Sequence, residues 1–267
     1  MLNYQSEEFK SLEELREIAP SIFTKKGSDN TSNKYSHIPT DTVIKDLELL
    51  GWNVVDAKEV KARKQVGYQK HLVVFRNPDV VINGKDGDTV YPQILLTNSH
   101  DGKNSFSFQA GLFRMICENG LVIATKQFES MKIRHMGYDF ETLQNVIKNM
   151  ISNLDLTVES MNKMKETELT EEQTLDFAKQ LLETRVAGSK NKFGDEAIAD
   201  ILTPQRKEDK GNGLWEVFNR VQENIVEGNF QYLTPGGKLR QARPIKNFRQ
   251  DMNINAKMYE QALTFAA

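Results

Sequence analysis

Between Trp52 and Arg134 the pattern of apolar and polar residues is mainly that of strands, interrupted by a helix-like piece, and on both sides the period lengthens to that of a helix. Before this stretch, Pro39-Thr40-Asp41 opens a helix with Thr40 or Asp41 as N-cap. Val43, Leu47 and Leu50 share one face of it, and Gly51-Trp52 closes it. Strands are predicted at Trp52 to Ala57, His71 to Arg76, Thr89 to Thr97, Ser105 to Phe108, Leu121 to Thr125 and Ser130 to Arg134. Asn77-Pro78-Asp79 and the run Asn83 to Asp88 supply turn signals between them. Ala110 to Glu118 reads as a helix buried on much of its surface. The prediction is an α+β fold: an antiparallel sheet of about five or six strands with packed helices, followed by a mainly helical C-terminal part.

From Phe140 the apolar residues fall at helical spacing through Leu143, Val146, Ile147 and Met150 to Met164, a continuous or once-broken helix of roughly twenty-five residues. Thr170 with Gln173 makes a capping box ahead of Leu175, Ala178, Leu181 and Leu182. Leu214 to Val226 is an amphipathic helix, and Met252 to Phe265 a last short one. Gln231 to Arg249 has little helical period and holds a Pro-Gly-Gly turn. Residues 1–38 read as a partly ordered N-terminal segment, with Lys25 to Ser36 as a mobile loop. The expected division is therefore 1–38, an α+β core at 39–139 and a mainly helical region at 140–267.

A net charge of −2, with 27% charged and 39% hydrophobic residues, gives no overall bias toward nucleic acid or membrane. Any such partner must meet a local patch. One cysteine, Cys117, excludes an internal disulfide framework. An acidic N-terminus and the lack of a run near ~20 apolar residues predict a cytoplasmic protein with no membrane partner, in the host cytoplasm if phage-encoded. Glycine spacing matches neither a dinucleotide fingerprint nor a GxxxxGK[ST] loop, and no cofactor is expected.

Two stretches are basic, acid-free and interleaved with aromatics. One has Lys61, Arg63, Lys64, Lys70 and Arg76 with Tyr68 and Phe75; the other, the loop 229–250, has Lys238, Arg240, Arg243, Lys246 and Arg249 with Phe230, Tyr232 and Phe248. Lys and Arg replace phosphate counterions, and ring faces stack on unpaired bases at ~1–3 kcal/mol each. The bland reading makes both stretches solvated edges, where lysine also deters aggregation. His100, Asp101, Cys117 and His135 are zinc-ligand types, but no CxxC or HExxH pair anchors them, so no metal is expected. Asn98 or Asp101 capping a turn with Gly102 at positive φ fits better. Cys117 follows Phe113, Met115 and Ile116, which argues for burial rather than a reactive thiolate. Arg114, on an apolar segment, needs a carboxylate, a carbonyl or a ligand phosphate.

The run Leu95 to Ile123 resembles the signature of the phage- and plasmid-associated family catalogued as domain of unknown function 932. The likeness lies in Asn98-Ser99-His100-Asp101-Gly102, Ala110 to Arg114, Cys117, Asn119-Gly120-Leu121 and His135-Met136-Gly137. It extends to Leu214-Trp215, Asn219 to Asn224, Arg243-Pro244 and Asn253 to Asn255. Nothing is carried over to the first thirty-odd residues or to Gly188 to Gly213. The resemblance implies a place in mobile-element DNA biology or in countering host defence, and no particular activity. In order of elements alone, the helix, strands and following helix resemble the β-β-β-α core of single-strand annealing proteins.

The expected function is binding of nucleic acid, most plausibly single-stranded DNA, through both basic stretches, without catalysis and as a homo-oligomer. Rival readings are an anti-defence protein that captures a host protein, and an enzyme using the His100/Asp101 loop with Arg114.

Overall fold

A capping box opens the first helix: Ser11 Oγ accepts from the Glu14 amide (3.2 Å) and the Glu14 carboxylate accepts from the Ser11 amide (2.8 Å). The structure is a computed structural model that describes residues 9–33, 35–62, 66–83, 89–104, 106–114, 120–121, 131–133, 139–152, 154–186 and 189–266. The chain divides into two units, one running to Leu154 and the other from Asp155.

In the first unit, α1 (Leu12–Ile18) and a 3-10 turn (Pro20–Phe23) lead toward α2 (Thr40–Leu49). Leu15, Ala19, Ile22 and Ile38 are fully buried in the core, so described residues of the N-terminal segment help to build it. α2 begins on Pro39, with no side-chain cap, where Thr40 or Asp41 was expected in that role. The reason is competition: the Thr40 hydroxyl is taken by His71 and Asn98, and Asp41 pairs with Lys25.

The sheet contains β1 (Asn53–Glu59), β2 (His71–Arg76), β3 (Ile82–Asn83), β4 (Thr89–Asn98), β5 (Phe106–Arg114), β6 (Gly120–Leu121) and β7 (Met131–Ile133). Its order is β1-β2-β4-β5-β6, with β3 on β4 and β7 on β5, and each pairing is antiparallel. Among the described residues four strands are long, fewer than the five or six expected, and the described parts of the other three cover two or three residues each. The predicted helix from Ala110 is the second correction. Ala110 to Arg114 continue β5, because Ile94, Pro92 and Val90 of β4 stand opposite Ala110, Leu112 and Arg114. Cross-strand pairing overrides local helical character. With that helix gone, the likeness to an annealing-protein core loses its last element.

All six residues of β2 are buried, as its unbroken apolar run requires of a central strand. Val73, Phe75, Ile94, Leu96, Phe106 and Phe108 meet Val43, Ile44 and Leu47 of α2 and Leu143 and Ile147 of α3 (Phe140–Ser152) in one core. Each such side chain contributes ~1.5–3 kcal/mol by leaving water.

The second unit is built on α4 (Leu154–Glu166), α5 (Glu171–Val186), α6 (Asp195–Leu202), α7 (Leu214–Glu227), the hairpin β8 (Gln231–Leu233) and β9 (Leu239–Gln241), and α8 (Phe248–Phe265). α3 and α4 fall within the helical stretch of roughly twenty-five residues that the period predicted from Phe140. Thr170 and Gln173 form the expected reciprocal cap of α5 (3.2 and 2.9 Å). α8 starts before the predicted Met252 because Asn247 Oδ1 accepts from the Gln250 amide (3.2 Å). α7 is buried on its polar side as well as its apolar one. Arg220 donates to the carbonyls of Asp209 (3.1 Å) and Gly211 (2.8 Å), and Asn224 to those of Ile201 (3.0 Å) and Thr203 (2.8 Å). Arg206 pairs with Glu223 (2.9 Å). These bonds hold the polar loop 203–213, which lacks an apolar face of its own, against α7. No helix among the described residues is long and apolar enough to cross a membrane.

Candidate functional site

The polar residues singled out after β4 turn inward. Register places His71, first residue of β2, opposite Asn98, last residue of β4, so both face the N-terminal end of α2. His71 Nε2 lies 2.9 Å from Thr40 Oγ1, and Nδ1 lies 2.9 Å from Ser21 Oγ and 3.3 Å from the Gln69 carbonyl. Asn98 donates to Thr40 Oγ1 (2.9 Å) and to the Ile38 carbonyl (3.1 Å). The Gln69 carbonyl can only accept, which places the proton of the neutral ring on Nδ1 and leaves Nε2 to accept from the Thr40 hydroxyl. The ring of His100 lies 5.3 Å from His71 and 4.6 Å from His37, so three of the four histidines gather here.

Burial pushes the His71 pKa down to about 4. Ser99, His100 and Asn98 are fully buried. Asp101 accepts from the Ser99 hydroxyl (2.7 Å) and the Lys103 amide (3.0 Å), and Gly102 sits at φ +73°. This is a side-chain-capped turn. The Tyr35 phenol donates to the Ser99 carbonyl (3.4 Å), and burial with the Asp101 charge pushes its pKa to about 12. Among the described residues no group of three His, Cys, Asp or Glu is set to hold a metal. The cluster can orient and lock a turn; buried as it is, it gives a substrate no approach to His100. Cys117, Asn119 and His135 lie outside the described residues, and Arg114 is described only as the end of β5, opposite Val90. Ser21, Thr40 and His71 were not expected in this cluster; the signal was three histidines within residues 37–100.

The two basic stretches fare differently. In the first, Lys61 is exposed, Lys70 and Tyr68 are half-buried, and Phe75 is in the core. Arg76 is 8% exposed, with its guanidinium 5.0 Å from the centre of the Tyr91 ring, so it supports the sheet rather than offering a phosphate contact. Arg63 and Lys64 lie outside the described residues.

The second stretch forms the β8–β9 hairpin. Its turn closes through Thr234 and Lys238 (2.9 Å), with Gly237 at φ +74°. At its root Gly228 has φ +75°, and a Cβ there would meet the Arg243 and Ala242 backbones at 2.8 and 2.9 Å. Register pairs Tyr232 with Arg240 on one face and Leu233 with Leu239 on the other. Leu233 and Leu239 are 41% and 62% exposed. Lys238, Arg240, Arg243 and Lys246 are exposed, and none of the four makes an ion pair among the described residues. Arg249 is described only by its place at the start of α8.

The unit that ends at Leu154 thus holds the inward-turned cluster and the unit that begins at Asp155 the outward-turned cations. The similarity to known proteins spans both. The chain is 28% identical over 259 residues to UPF0380 protein YafZ of Escherichia coli (strain K12), covering 94% of this chain and 89% of that protein. It is likewise 28% identical over 261 residues to UPF0380 protein YfjQ of the same organism, covering 94% and 90%. No solved structure matches. Residues 29–259 match the family described as a domain of unknown function (DUF932), a span that includes the histidine cluster and the hairpin, and the chain belongs to that family.

Proposed function

We propose that this chain binds single-stranded nucleic acid through the β8–β9 hairpin and the segment that follows it, without chemical catalysis. The observation that carries the reading is the acid-free run 229–250, which presents Lys238, Arg240, Arg243 and Lys246 to solvent beside Tyr232. Cations free of internal partners release phosphate counterions on binding, and an aromatic ring beside them stacks on an unpaired base. A strand-handling role also suits the mobile-element setting that the family resemblance implies. An enzyme built on His100 is disfavoured by the complete burial of that side chain.

Fluorescence anisotropy of a labelled single-stranded oligonucleotide, titrated across salt concentrations, tests the reading. The full chain is expected to bind with affinity that falls steeply with ionic strength. Replacing Arg240, Arg243 and Lys246 by Ala is expected to flatten the log–log slope by about 2, at about 0.7 for each phosphate no longer neutralised. An unchanged slope removes the hairpin from the account. Capture of a host protein remains the second reading, because Leu233 and Leu239 give the same hairpin an exposed apolar face. It predicts a pull-down that survives nuclease and is lost on Leu239→Lys.

A further inference from the structure

Beside the hairpin, in the same unit, the end of α5 and the first half of α8 border an open cleft of about 370 Å³. Thr184 and Arg185 line it from the end of α5, Asn247 from just before α8, and Gln250, Asn253 and Lys257 from the first three turns of α8. Two cations and three carboxamides therefore surround it, and none of its lining residues is acidic. Arg185 donates from Nη2 to the Arg243 carbonyl (3.0 Å), which fixes the guanidinium in place. Its Nε–H is buried and has no acceptor among the described residues. Leaving such a donor unpaired costs ~1–3 kcal/mol, and more for a charged group. Burial pushes the Arg185 pKa down, and the nearby Tyr232 phenol acts against that shift. A half-buried cation with a spare buried donor is in want of an anion. The N-terminal end of α8, an eighteen-residue helix, lies at the cleft and adds partial positive charge there, offset in part by Asp251 in its first turn.

We infer that the α5–α8 cleft is an oxyanion site that takes a phosphate group, held by Arg185 and Lys257 and oriented by the carboxamides of the first turns of α8. The phosphate comes from a nucleic-acid strand or from a free nucleotide. The strand source rests on the reading of the hairpin given above, and the phosphate chemistry stands without it.

The test is calorimetric titration of the full chain with inorganic phosphate, against chloride at matched ionic strength. Saturable binding of phosphate is expected, weakened about tenfold by Lys257→Gln and by Arg185→Gln. Lys257 is exposed, so its variant keeps the fold even if the loss of the Arg185–Arg243 bond disturbs it. No saturation, or binding by Lys257→Gln equal to wild type, overturns the site. Competition then assigns the source: displacement of phosphate by an unlabelled single-stranded oligonucleotide supports the strand, and displacement by a nucleoside monophosphate alone supports the free nucleotide. Failure of one reading is separable from failure of the other. Phosphate binding without oligonucleotide binding sinks the hairpin reading only, and oligonucleotide binding without phosphate binding sinks the cleft only.

Discussion

The histidine cluster and the hairpin use polar residues in opposite ways. Around His71 the hydroxyls of Ser21 and Thr40, the amide of Asn98 and the carboxylate of Asp101 are consumed by one another or by nearby backbone. On the hairpin and just after it, the side chains of Lys238, Arg240, Arg243 and Lys246 are exposed and make no ion pair among the described residues. The residues with the richest chemistry thus serve the fold, and the residues with the plainest chemistry are the ones available to a partner. A dense polar motif marks a place where the chain has a difficult turn to bury, since every buried polar group there needs a partner.

That contrast breaks first at His71. Replacing it by Ala removes a buried ring and strands two buried hydroxyls, for a loss of about 4 kcal/mol. Each unit holds one tryptophan, Trp52 or Trp215, so urea unfolding of a Trp215→Phe chain reports the first unit alone. Oligonucleotide affinity of the folded variant is expected to stay at the wild-type level. A His71→Ala chain of unaltered stability that no longer binds would make the cluster functional and end the comparison as drawn.

The same side chain sets a pH dependence. Its pKa is about 4 in the fold against an ordinary 6.5, because burial disfavours the imidazolium. Above pH 6.5 the ring is neutral whether the chain is folded or not, and nothing changes. Between 6.5 and about 4 the unfolded chain takes up a proton that the folded cluster refuses, so stability falls as pH falls. The loss amounts to about 3 kcal/mol and levels off below about pH 4. The groups facing the ring are Ser21, Thr40, the Gln69 carbonyl and His100, with Glu59 bonded to the Ser21 amide. Urea midpoints of the Trp215→Phe chain at pH 7.5, 5.5 and 4.5 check this, and His71→Gln is expected to flatten the trend.

Smaller effects belong to the second unit. Gly228→Ala puts a Cβ against backbone at a positive φ, at a cost of about 2 kcal/mol, and is expected to weaken oligonucleotide binding by displacing the hairpin. Thr170→Ala removes one half of the cap of α5, costs about 1 kcal/mol and is expected to leave binding alone. Both are read by the fluorescence of Trp215 in a Trp52→Phe chain.

Much of the fold was legible in the pattern of the chain, and the misses have physical causes. The Thr170–Gln173 cap and the helical period from Phe140 are local devices, so local sequence carries them. The β5 segment after Phe108 was misread because its partners in β4 lie some twenty residues earlier, and pairing over that distance leaves no local periodicity. Thr40 looked like a cap because its claim on His71 and Asn98 exists only once β2 and β4 are in register. Of the candidate interface, the acid-free hairpin segment was legible from composition. The exposure of its cations, the burial of Arg76 and the unpaired Nε–H of Arg185 needed coordinates.

The smallest expected effect is the sharpest on whether one basic stretch or two meets the ligand. Lys61 is exposed in the first unit, where Arg76 is buried and Lys70 is half-buried. A lone exposed lysine neutralises at most one phosphate, so Lys61→Ala is expected to change the log–log salt slope by about 0.7 or less. Its effect on stability should stay within about 0.5 kcal/mol, as for surface positions away from caps and buried networks. Measured beside the triple hairpin variant, with its expected change of about 2, it weighs one unit against the other. A Lys61→Ala slope change as large as that of the triple variant would mean that the first unit shares the strand, and the division of labour between buried cluster and exposed hairpin would have to be redrawn.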